Sequence, residues 1–336
     1  NTLIGNVNNK KKEGNIVGER FGRSVSISGK GHTIIVGAAN TCNNNLDYCG
    51  RISVYAWANS NWSEISTFYG EEENIYIGST TCISKLGNYI SFGGNNINYI
   101  YYGELEAHAS TSTLVPLKIT NTSETNNTNK FGCSLSITRE GGILIVGSCA
   151  ANVQGVNAGC VYVYVKQLED NKLLFSDDYY IKVVSPEPVA DQGFGAHVSM
   201  NSVGNNFAVS SPDYSTNESN KIGSVYVYNL LVNSLINSLY KDSENSNLVS
   251  ITGSLYGTVE NQRFGTNLNL NGSGEYLIVT SSGDTIVPGR ISMYHYDTTS
   301  SWLFFSESYA EPDITLPGST IGVSSDSTIV VYGYDQ

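Results

Sequence analysis

The fold of this chain is set by the stretch Arg20-Phe21-Gly22-Arg23-Ser24-Val25-Ser26-Ile27-Ser28, which opens a pattern that returns along the sequence. It is followed by Thr-Ile-Ile-Val-Gly at residues 33–37 and by Gly-Arg-Ile-Ser-Val-Tyr at residues 50–55. The same landmarks begin again, in the same order, at Phe131, Phe194 and Phe264. Landmarks that recur in a fixed order every few tens of residues are typical of a repeat architecture.

Each repeat contains four short segments with strand character, and the third segment shows how the sheets are covered. The run Val161-Tyr162-Val163-Tyr164 is apolar or aromatic at both alternate positions, whereas a sheet with one wet face would alternate with polar residues. Sheets of four antiparallel strands that are covered on both faces and packed radially form a β-propeller. A solenoid is the alternative, but it needs shorter and more regular repeats.

Six repeat starts predict a six-bladed propeller in one domain of residues 1–336, with seven blades as the alternative. The blades are expected at about residues 15–70, 71–120, 130–185, 193–255 and 263–310, with the last formed by 316–336 together with 1–8. In this blade the terminal strands close the ring, with residues 3–7 as its outer strand. The second repeat is degraded, because Ile77-Gly78 stands where Phe-Gly is expected.

Charge and hydropathy exclude two classes of partner. The chain has 18 Lys and Arg residues against 30 Asp and Glu, which gives a net charge of -12. Nucleic-acid binding through neutralisation of phosphates is therefore not expected. No apolar run approaches the roughly 20 residues that span a bilayer, so no membrane span is predicted.

Four of the six cysteines are positioned as two candidate disulfide pairs. Cys42 and Cys49 flank the loop between the second and third strands of the first repeat, and Cys149 and Cys160 flank the matching loop of the third repeat. A hairpin brings the arms of such a loop together, so two local disulfides are predicted. Cys82 and Cys133 are left over, and they either bridge neighbouring repeats or remain buried thiols.

Five Asn-x-Ser/Thr sequons offer positions for N-linked glycans, although an Asn-rich chain also produces sequons by chance. They lie at Asn61, Asn121, Asn126, Asn217 and Asn271. Together with the cysteine pairs they indicate an oxidising, secretory route, so the chain is expected outside the cell or at its surface.

The landmarks resemble a known family. Phe-Gly-x-Ser, then Val-Gly, then Gly-x-Val-Tyr-Val-Tyr, then a Trp such as Trp62 or Trp302, is similar to the FG-GAP repeat, the blade of the integrin alpha-chain head. The likeness covers most of the chain, with four clear copies and two degraded ones. It implies a propeller in which the Phe is a wedge between blades and the Gly allows a tight turn near the axis. The residues in these positions are Phe21, Gly22, Phe131, Gly132, Phe194, Gly195, Phe264 and Gly265.

Many blades of that family bind calcium through an acidic loop between their first two strands. The matching loops here supply almost no carboxylates; residues 28–31, for example, read Ser-Gly-Lys-Gly. Because calcium requires several carboxylate oxygens, neither calcium nor any other cofactor or metal is expected.

The sequence contains no recognisable catalytic motif. There is no Gly-x-Ser-x-Gly elbow, no phosphate-binding loop and no His-Glu-x-x-His, and the four histidines fall in different repeats. The carboxylates of residues 71–73 are interpreted as a solvated loop, and the Tyr-rich stretch at residues 99–102 as a buried third strand. No catalytic residue is therefore assigned.

The prediction for function is a non-enzymatic, extracellular, structural or adhesive glycoprotein. Its propeller would be a rigid module for contact with other proteins or with copies of itself, and it could assemble into a filament or a surface layer. The alternatives are a lectin-like or receptor-head module that binds a ligand and, ranked last, a secreted hydrolase on a propeller scaffold.

Overall fold

The structure is a computed structural model, and it describes residues 18–43, 46–105, 114–122, 127–153, 155–169, 172–216, 220–231, 247–282, 289–297, 301–309, 317–324 and 329–334. The chain divides into two compact units, Asn1–Leu144 and Ile145–Gln336. A single domain for the whole chain stays a prediction. Within the described ranges, no helix has the length and apolar character needed to cross a membrane.

The fold is all-β, as predicted, and five sheets of four antiparallel strands make up most of it. Sheet I contains β1 (Phe21–Ile27), β2 (Thr33–Ala38), β3 (Arg51–Ala58) and β4 (Asn61–Tyr69). Sheet II contains β5 (Thr80–Ile83), β6 (Tyr89–Gly93), β7 (Tyr99–Glu104) and β8 (Leu117–Thr120). Sheet III contains β9 (Phe131–Ile137), β10 (Ile143–Ser148), β11 (Cys160–Val165) and β14 (Tyr180–Val184).

The remaining strands follow the same plan. Sheet IV contains β15 (Val198–Met200), β16 (Asn206–Ser211), β17 (Ser224–Leu230) and β18 (Val249–Tyr256). Sheet V contains β19 (Phe264–Leu270), β20 (Tyr276–Ser281), β21 (Arg290–Tyr296) and β22 (Trp302–Tyr309). Two hairpins lie outside these sheets, β12 (Gln167–Glu169) with β13 (Lys172–Leu174), and β23 (Pro317–Val323) with β24 (Val330–Tyr334). A short 3₁₀ helix spans Asn127–Asn129.

Five four-stranded sheets in this order are consistent with a propeller, but the prediction of six complete blades is wrong for the described residues. The sixth repeat supplies only the pair β23–β24. The terminal strand that was expected to complete it, at residues 3–7, lies outside the described residues. No closure of a ring is shown.

The third strands of sheets III and IV confirm that these two sheets are covered on both faces. In β11 the four residues Val161, Tyr162, Val163 and Tyr164 are all completely buried, and in β17 the same holds for residues 225–227. Side chains that alternate between the two faces of a strand are thus excluded from water on either side. This explains why the Val-Tyr-Val-Tyr sequence has no polar position.

A single side-chain cap shapes the turn between the first two strands of every repeat. The residue after the first strand accepts, through its side-chain oxygen, the backbone N–H of the residue five positions later, at 2.9–3.2 Å. The capping residues are Ser28, Ser84, Thr138, Asn201, Asn271 and Ser324. Short polar side chains of this kind favour turns because they satisfy backbone donors locally. They occupy the loops that carry the calcium ligands in FG-GAP blades.

Neighbouring sheets are joined by a backbone hydrogen bond that recurs within each unit. The N–H of Phe194 donates to the carbonyl of Ala158 at 2.9 Å, and the N–H of Phe264 donates to Ile222 at 2.9 Å. In the degraded second repeat, Ile77 donates to Cys49 at 3.1 Å. Each acceptor directly precedes the glycine that leads into a third strand, so this glycine lies against the backbone of the next sheet.

The landmark Phe-Gly pairs begin the first strands of sheets I, III and V and precede that of sheet IV. Phe131, Phe194 and Phe264 are at most 2% exposed, whereas Phe21 is half-buried. The glycines that follow them, Gly22, Gly132, Gly195 and Gly265, have φ angles of 88°, 83°, 91° and 92°. In the second repeat Gly78 has φ of 89°. Only glycine adopts such angles without strain, so another residue at these positions would strain the backbone.

We expect the Gly223→Ala variant to lose more than about 3 kcal/mol of unfolding free energy, measured by urea denaturation. Gly223 has φ of 80°, and an added Cβ would lie 2.1 Å from the Phe264 carbonyl oxygen. The control is Gly22→Ala, where φ is 88° but no described atom lies within 4 Å of the new Cβ. This control should lose only about 1–2 kcal/mol, the cost of the backbone conformation. Equal losses would contradict the role of the junction.

Candidate functional site

At two places in the chain, tyrosine hydroxyls donate hydrogen bonds to carboxylates of the loop that precedes their sheet. The first place lies in sheet II, where the Tyr99 hydroxyl donates to Glu72 at 2.9 Å and the Tyr101 hydroxyl donates to Glu71 at 3.3 Å. The ammonium group of Lys118 lies 3.1 Å from Glu71 and 4.6 Å from the centroid of the Tyr99 ring. We call Glu71, Glu72, Tyr99, Tyr101 and Lys118 the filled cluster, because it contains its own cation.

The position of Lys118 follows from the strand register. Lys118 in β8 lies directly opposite Tyr101 in β7, and its ammonium is 5.4 Å from the Tyr101 ring centroid. Sheet III repeats this pair, because Lys182 in β14 lies opposite Tyr162 in β11 at 5.6 Å from the ring centroid. A cation over a tyrosine face is attracted by the negative face of the ring. Sheets II and III therefore each carry a lysine opposite the tyrosine, at equivalent positions.

Sheet IV has the same tyrosine and a different partner. Tyr226 in β17 lies opposite Ser254 in β18, so the lysine is replaced by a short neutral side chain. The carboxylate at this place is Glu187, which accepts the hydroxyl of Tyr214 at 2.6 Å and that of Tyr256 at 2.8 Å. In the described part of the chain Glu187 forms no ion pair. We call Glu187, Tyr214, Tyr226 and Tyr256 the open cluster.

The tyrosines of the open cluster form one packed group. The Tyr256 ring lies 5.8 Å from the Tyr214 ring and 6.2 Å from the Tyr226 ring, between centroids. Burial raises the pKa of the Tyr214 and Tyr256 hydroxyls, and the nearby Glu187 carboxylate raises it further. Both hydroxyls are therefore protonated hydrogen-bond donors at neutral pH. Glu187 itself is exposed, so a molecule from solvent can reach it.

A group of buried polar atoms in sheet IV has unused hydrogen-bonding capacity. Gln192 is completely buried, and neither atom of its amide has a hydrogen-bond partner among the residues described. The same is true of the Ser211 hydroxyl. Buried polar groups are normally satisfied by protein or water. These groups can therefore take water or a bound polar molecule.

The equivalent glutamine of sheet V has hydrogen-bond partners that the Gln192 side chain lacks. Gln262 occupies the equivalent position, two residues before the landmark Phe, and its carbonyl oxygen accepts the N–H groups of Thr258 and Val259 at 3.0 and 3.2 Å. The position that matches Thr258 in sheet IV is Pro188, which has no N–H to donate. Pro188 thus removes one of the two N–H donors that hold the counterpart, while Val189, which matches Val259, keeps its N–H.

A cationic cluster is formed around the residue that precedes Tyr214 of the open cluster. Asp213, the residue before Tyr214, accepts Arg263 at 2.7 Å and Lys221 at 3.4 Å. One carboxylate against two cations leaves a net charge of about +1, on a chain whose net charge is -12. A local positive charge of this kind attracts anionic groups from solution.

The predicted disulfide residues lie in loops and strands as expected, and their pairing stays a prediction. Cys42 and Cys49 share the loop after β2, and the structure holds both as thiols. Cys149 directly follows β10 and Cys160 begins β11, the neighbouring strand. Cys82 is in β5 and Cys133 is in β9, two strands that pack against each other.

The sequons differ in how accessible they are. Asn61 is exposed at the start of β4, whereas Asn121 and Asn271 are 1% and 3% exposed. The Asn271 side chain caps a turn by accepting the N–H groups of Gly274, Glu275 and Tyr276. Asn126 and Asn217 lie outside the described residues. Asn61 is therefore the described sequon that a glycan can reach without a change in the fold.

Neither cluster was recognised from the sequence. The stretch at residues 99–102 is a buried strand, as interpreted, but Glu71 and Glu72 do not form the purely solvated loop that was expected, because both accept tyrosine hydroxyls. A signal does exist: Glu72 and Glu187 each lie three residues after the end of a fourth strand. Among the described residues, no group of three or more His, Cys, Asp and Glu side chains could hold a metal ion.

No family model matches this chain, and no curated protein matches it. Solved structures share its fold. A candidate 6-phosphogluconolactonase from Bacteroides uniformis is 10% identical and has a TM-score of 0.60, over 93% of this chain and 77% of its own. The periplasmic gluconolactonase of Pseudomonas aeruginosa is 14% identical with a TM-score of 0.56, over 92% and 77%. A candidate 6-phosphogluconolactonase from Bacteroides fragilis is 11% identical with a TM-score of 0.54, over 92% and 75%.

These findings correct the interpretation of the repeat. The assignment to the FG-GAP blades of integrin heads is wrong, because the structures that resemble this chain are described as lactonases and no family model matches. The prediction of a non-enzymatic adhesive or filament-forming protein is wrong for the same reason. The Phe-Gly landmarks reflect the way in which neighbouring sheets are joined. Proteins of different families that join their sheets in this way can therefore share them. At 10–14% identity the likeness shows a shared fold.

Proposed function

We propose that this protein is a hydrolase that opens lactones of sugar acids, with the open cluster of sheet IV as its reaction centre. The observation that carries the proposal is the replacement of a lysine by Ser254 opposite Tyr226. In the filled cluster Lys118 pairs with Glu71, whereas the side-chain partners of Glu187 among the described residues are neutral hydroxyls. Glu187 is exposed, and a carboxylate that water can reach can act as a general base.

The chemistry follows from the groups present. A water molecule beside Glu187 gives up a proton to the carboxylate while its oxygen attacks the carbonyl carbon of the lactone. A hydroxyl of Tyr214 or Tyr256 turns from Glu187 to the carbonyl oxygen and stabilises the negative charge that develops there. The ring C–O bond then breaks, and the alkoxide oxygen takes the proton from Glu187. The product is an open hydroxy acid, and Glu187 is a carboxylate again.

The surroundings of the open cluster suit a polyhydroxylated, anionic substrate. Gln192 and Ser211 are buried beneath this cluster and have unused hydrogen-bonding capacity within the described chain, so an ordered water there could link them to a sugar hydroxyl. Arg263 and Lys221 carry net positive charge beside Asp213, which favours a substrate with a carboxylate or phosphate group. The shared fold supports the same class of substrate, since the similar structures are described as gluconolactonases and 6-phosphogluconolactonases.

Several expectations from the sequence complete the proposal. We infer that the chain works in an oxidising compartment outside the cytoplasm, which the cysteine pairs and the exposed Asn61 sequon support. Closure of the sheets into a ring, contacts with other proteins or with copies of itself, and a reaction without metal or cofactor also belong to this proposal.

Proton release tests the reaction directly, because each lactone that opens yields one acid group. We expect the protein to accelerate the hydrolysis of glucono-δ-lactone or its 6-phosphate above the spontaneous rate in a pH-stat. Glu187→Gln should lower kcat by about 100-fold or more, since a general base contributes on this scale. The control, Glu71→Gln beside Lys118 in the filled cluster, should retain the activity. A wild-type rate equal to the blank with both lactones would overturn the proposal.

A second variant tests why sheet IV is the reactive one. Ser254→Lys rebuilds the pair seen in sheets II and III, so its ammonium should bind Glu187 and make the carboxylate a weaker base. We expect kcat to fall by about 10-fold or more, since one pKa unit corresponds to a factor of ten. The control is Ser250→Lys, which adds the same charge at an exposed position of β18. Equal activities of the two variants would count against the role of the missing lysine.

A further inference from the structure

The loop between β2 and β3 is a closed hairpin with one cysteine in each arm. At its base the N–H of Gly50 donates to the Thr41 carbonyl at 3.0 Å. Near its tip Asn43 and Leu46 exchange both backbone hydrogen bonds, at 3.1 and 2.8 Å. Cys42 and Cys49 are the next residues inward from this base, one on each arm. A disulfide between them would close a loop of eight residues, counted from Cys42 to Cys49.

The two thiols are close enough to interact, and they differ in exposure. Cys49 is completely buried, and its sulfur lies 3.5 Å from the Thr41 carbonyl oxygen. Cys42 is half-buried, and its sulfur accepts the N–H of Tyr48 at 3.4 Å. Burial raises the pKa of Cys49, and the neighbouring Cys42 raises it further. Cys42 is therefore the thiol that a reagent from solvent meets first.

The same hairpin holds the second sheet in place. The N–H groups of Asn74, Tyr76 and Ile77 donate to the carbonyls of Asp47, Tyr48 and Cys49, at 2.8, 2.9 and 3.1 Å. The Tyr48 and Tyr76 rings stack at 5.4 Å. These bonds join sheet I to the repeat that has Ile77 in place of the landmark Phe. A disulfide within the hairpin would restrict the motion of the carbonyls that accept these three hydrogen bonds.

We propose that Cys42 and Cys49 are a redox-active pair that forms a disulfide and thereby stiffens the junction between sheets I and II. The oxidant is a small disulfide such as oxidised glutathione. The Cys42 thiolate attacks one of its sulfurs, and one glutathione leaves as a thiol. Cys49 then loses its proton and attacks the sulfur of Cys42, which releases the second glutathione. Two protein thiols are oxidised, and one small disulfide is reduced to two thiols.

This inference is independent of the hydrolase proposal, because Glu187 takes no part in it. The experiment compares the full chain in a reduced state with the same chain after treatment with oxidised glutathione. Peptide mapping without reduction should find Cys42 linked to Cys49. Hydrogen exchange at the Ile77 amide should slow by about 5-fold or more, because cross-linking a loop disfavours its open states.

Two controls make the outcome decisive. Cys82 is buried, and burial raises its pKa to about 12, so its thiol should stay unmodified in the same native sample. Cys42→Ser, at the half-buried position, should remove both the link and the slowing at Ile77. The proposal is overturned if Cys42 and Cys49 both remain alkylatable after oxidation of the folded chain. It is also overturned if they link without any change in exchange at Ile77.

Discussion

The backbone hydrogen bond between neighbouring sheets is the contact on which the rest of the structure depends. It brings the Phe264 amide to the Ile222 carbonyl at 2.9 Å, and this distance leaves no room for a Cβ on Gly223. The glycine after the Phe must then adopt a positive φ to turn the chain into its first strand. The Phe-Gly landmark supplies the donor side of this junction, and the Gly-x-Val-Tyr landmark of the preceding sheet supplies the acceptor side. Both landmarks recur in the sequence because the junction recurs between sheets.

This dependence explains what could be predicted. Strands, their order and the tight glycine turns follow from local signals, and the structure agrees with them in five sheets. The turn caps could also have been found, because Ser28, Ser84, Thr138, Asn201, Asn271 and Ser324 all follow a first strand. The sixth sheet was overcounted because a repeat start shows only that two strands form. The completion of a sheet depends on segments far away in the chain, and local patterns carry no information about them.

The functional site was harder to predict because its members are distant in sequence. Glu187 and Tyr214 come from two different connections and Tyr256 from the end of β18, and the hydrogen bond from Tyr256 to Glu187 joins residues 69 positions apart. The contrast between Lys118 and Ser254 appears only when the cross-strand register is known, since each is significant as the partner of a tyrosine. The mistaken assignment to an adhesive family has the same origin. Landmarks that describe junctions between sheets contain no information about the side chains at the ends of those sheets.

The two clusters show how one scaffold can give a carboxylate charged partners in one sheet and neutral partners in another. In the filled cluster the Lys118 ammonium pairs with Glu71 and lies over both tyrosine rings. In the open cluster Ser254 lies opposite Tyr226 in place of the lysine, and two tyrosine hydroxyls donate to Glu187. Pro188 removes one of the two N–H groups that hold the matching glutamine in sheet V, and the Gln192 side chain has no partner among the described residues. Both changes, a serine in place of a lysine and a proline in place of a residue with an N–H, take away a partner that the equivalent position of another sheet has. Such substitutions leave the strand pairing intact, so one scaffold can present different polar groups in different sheets.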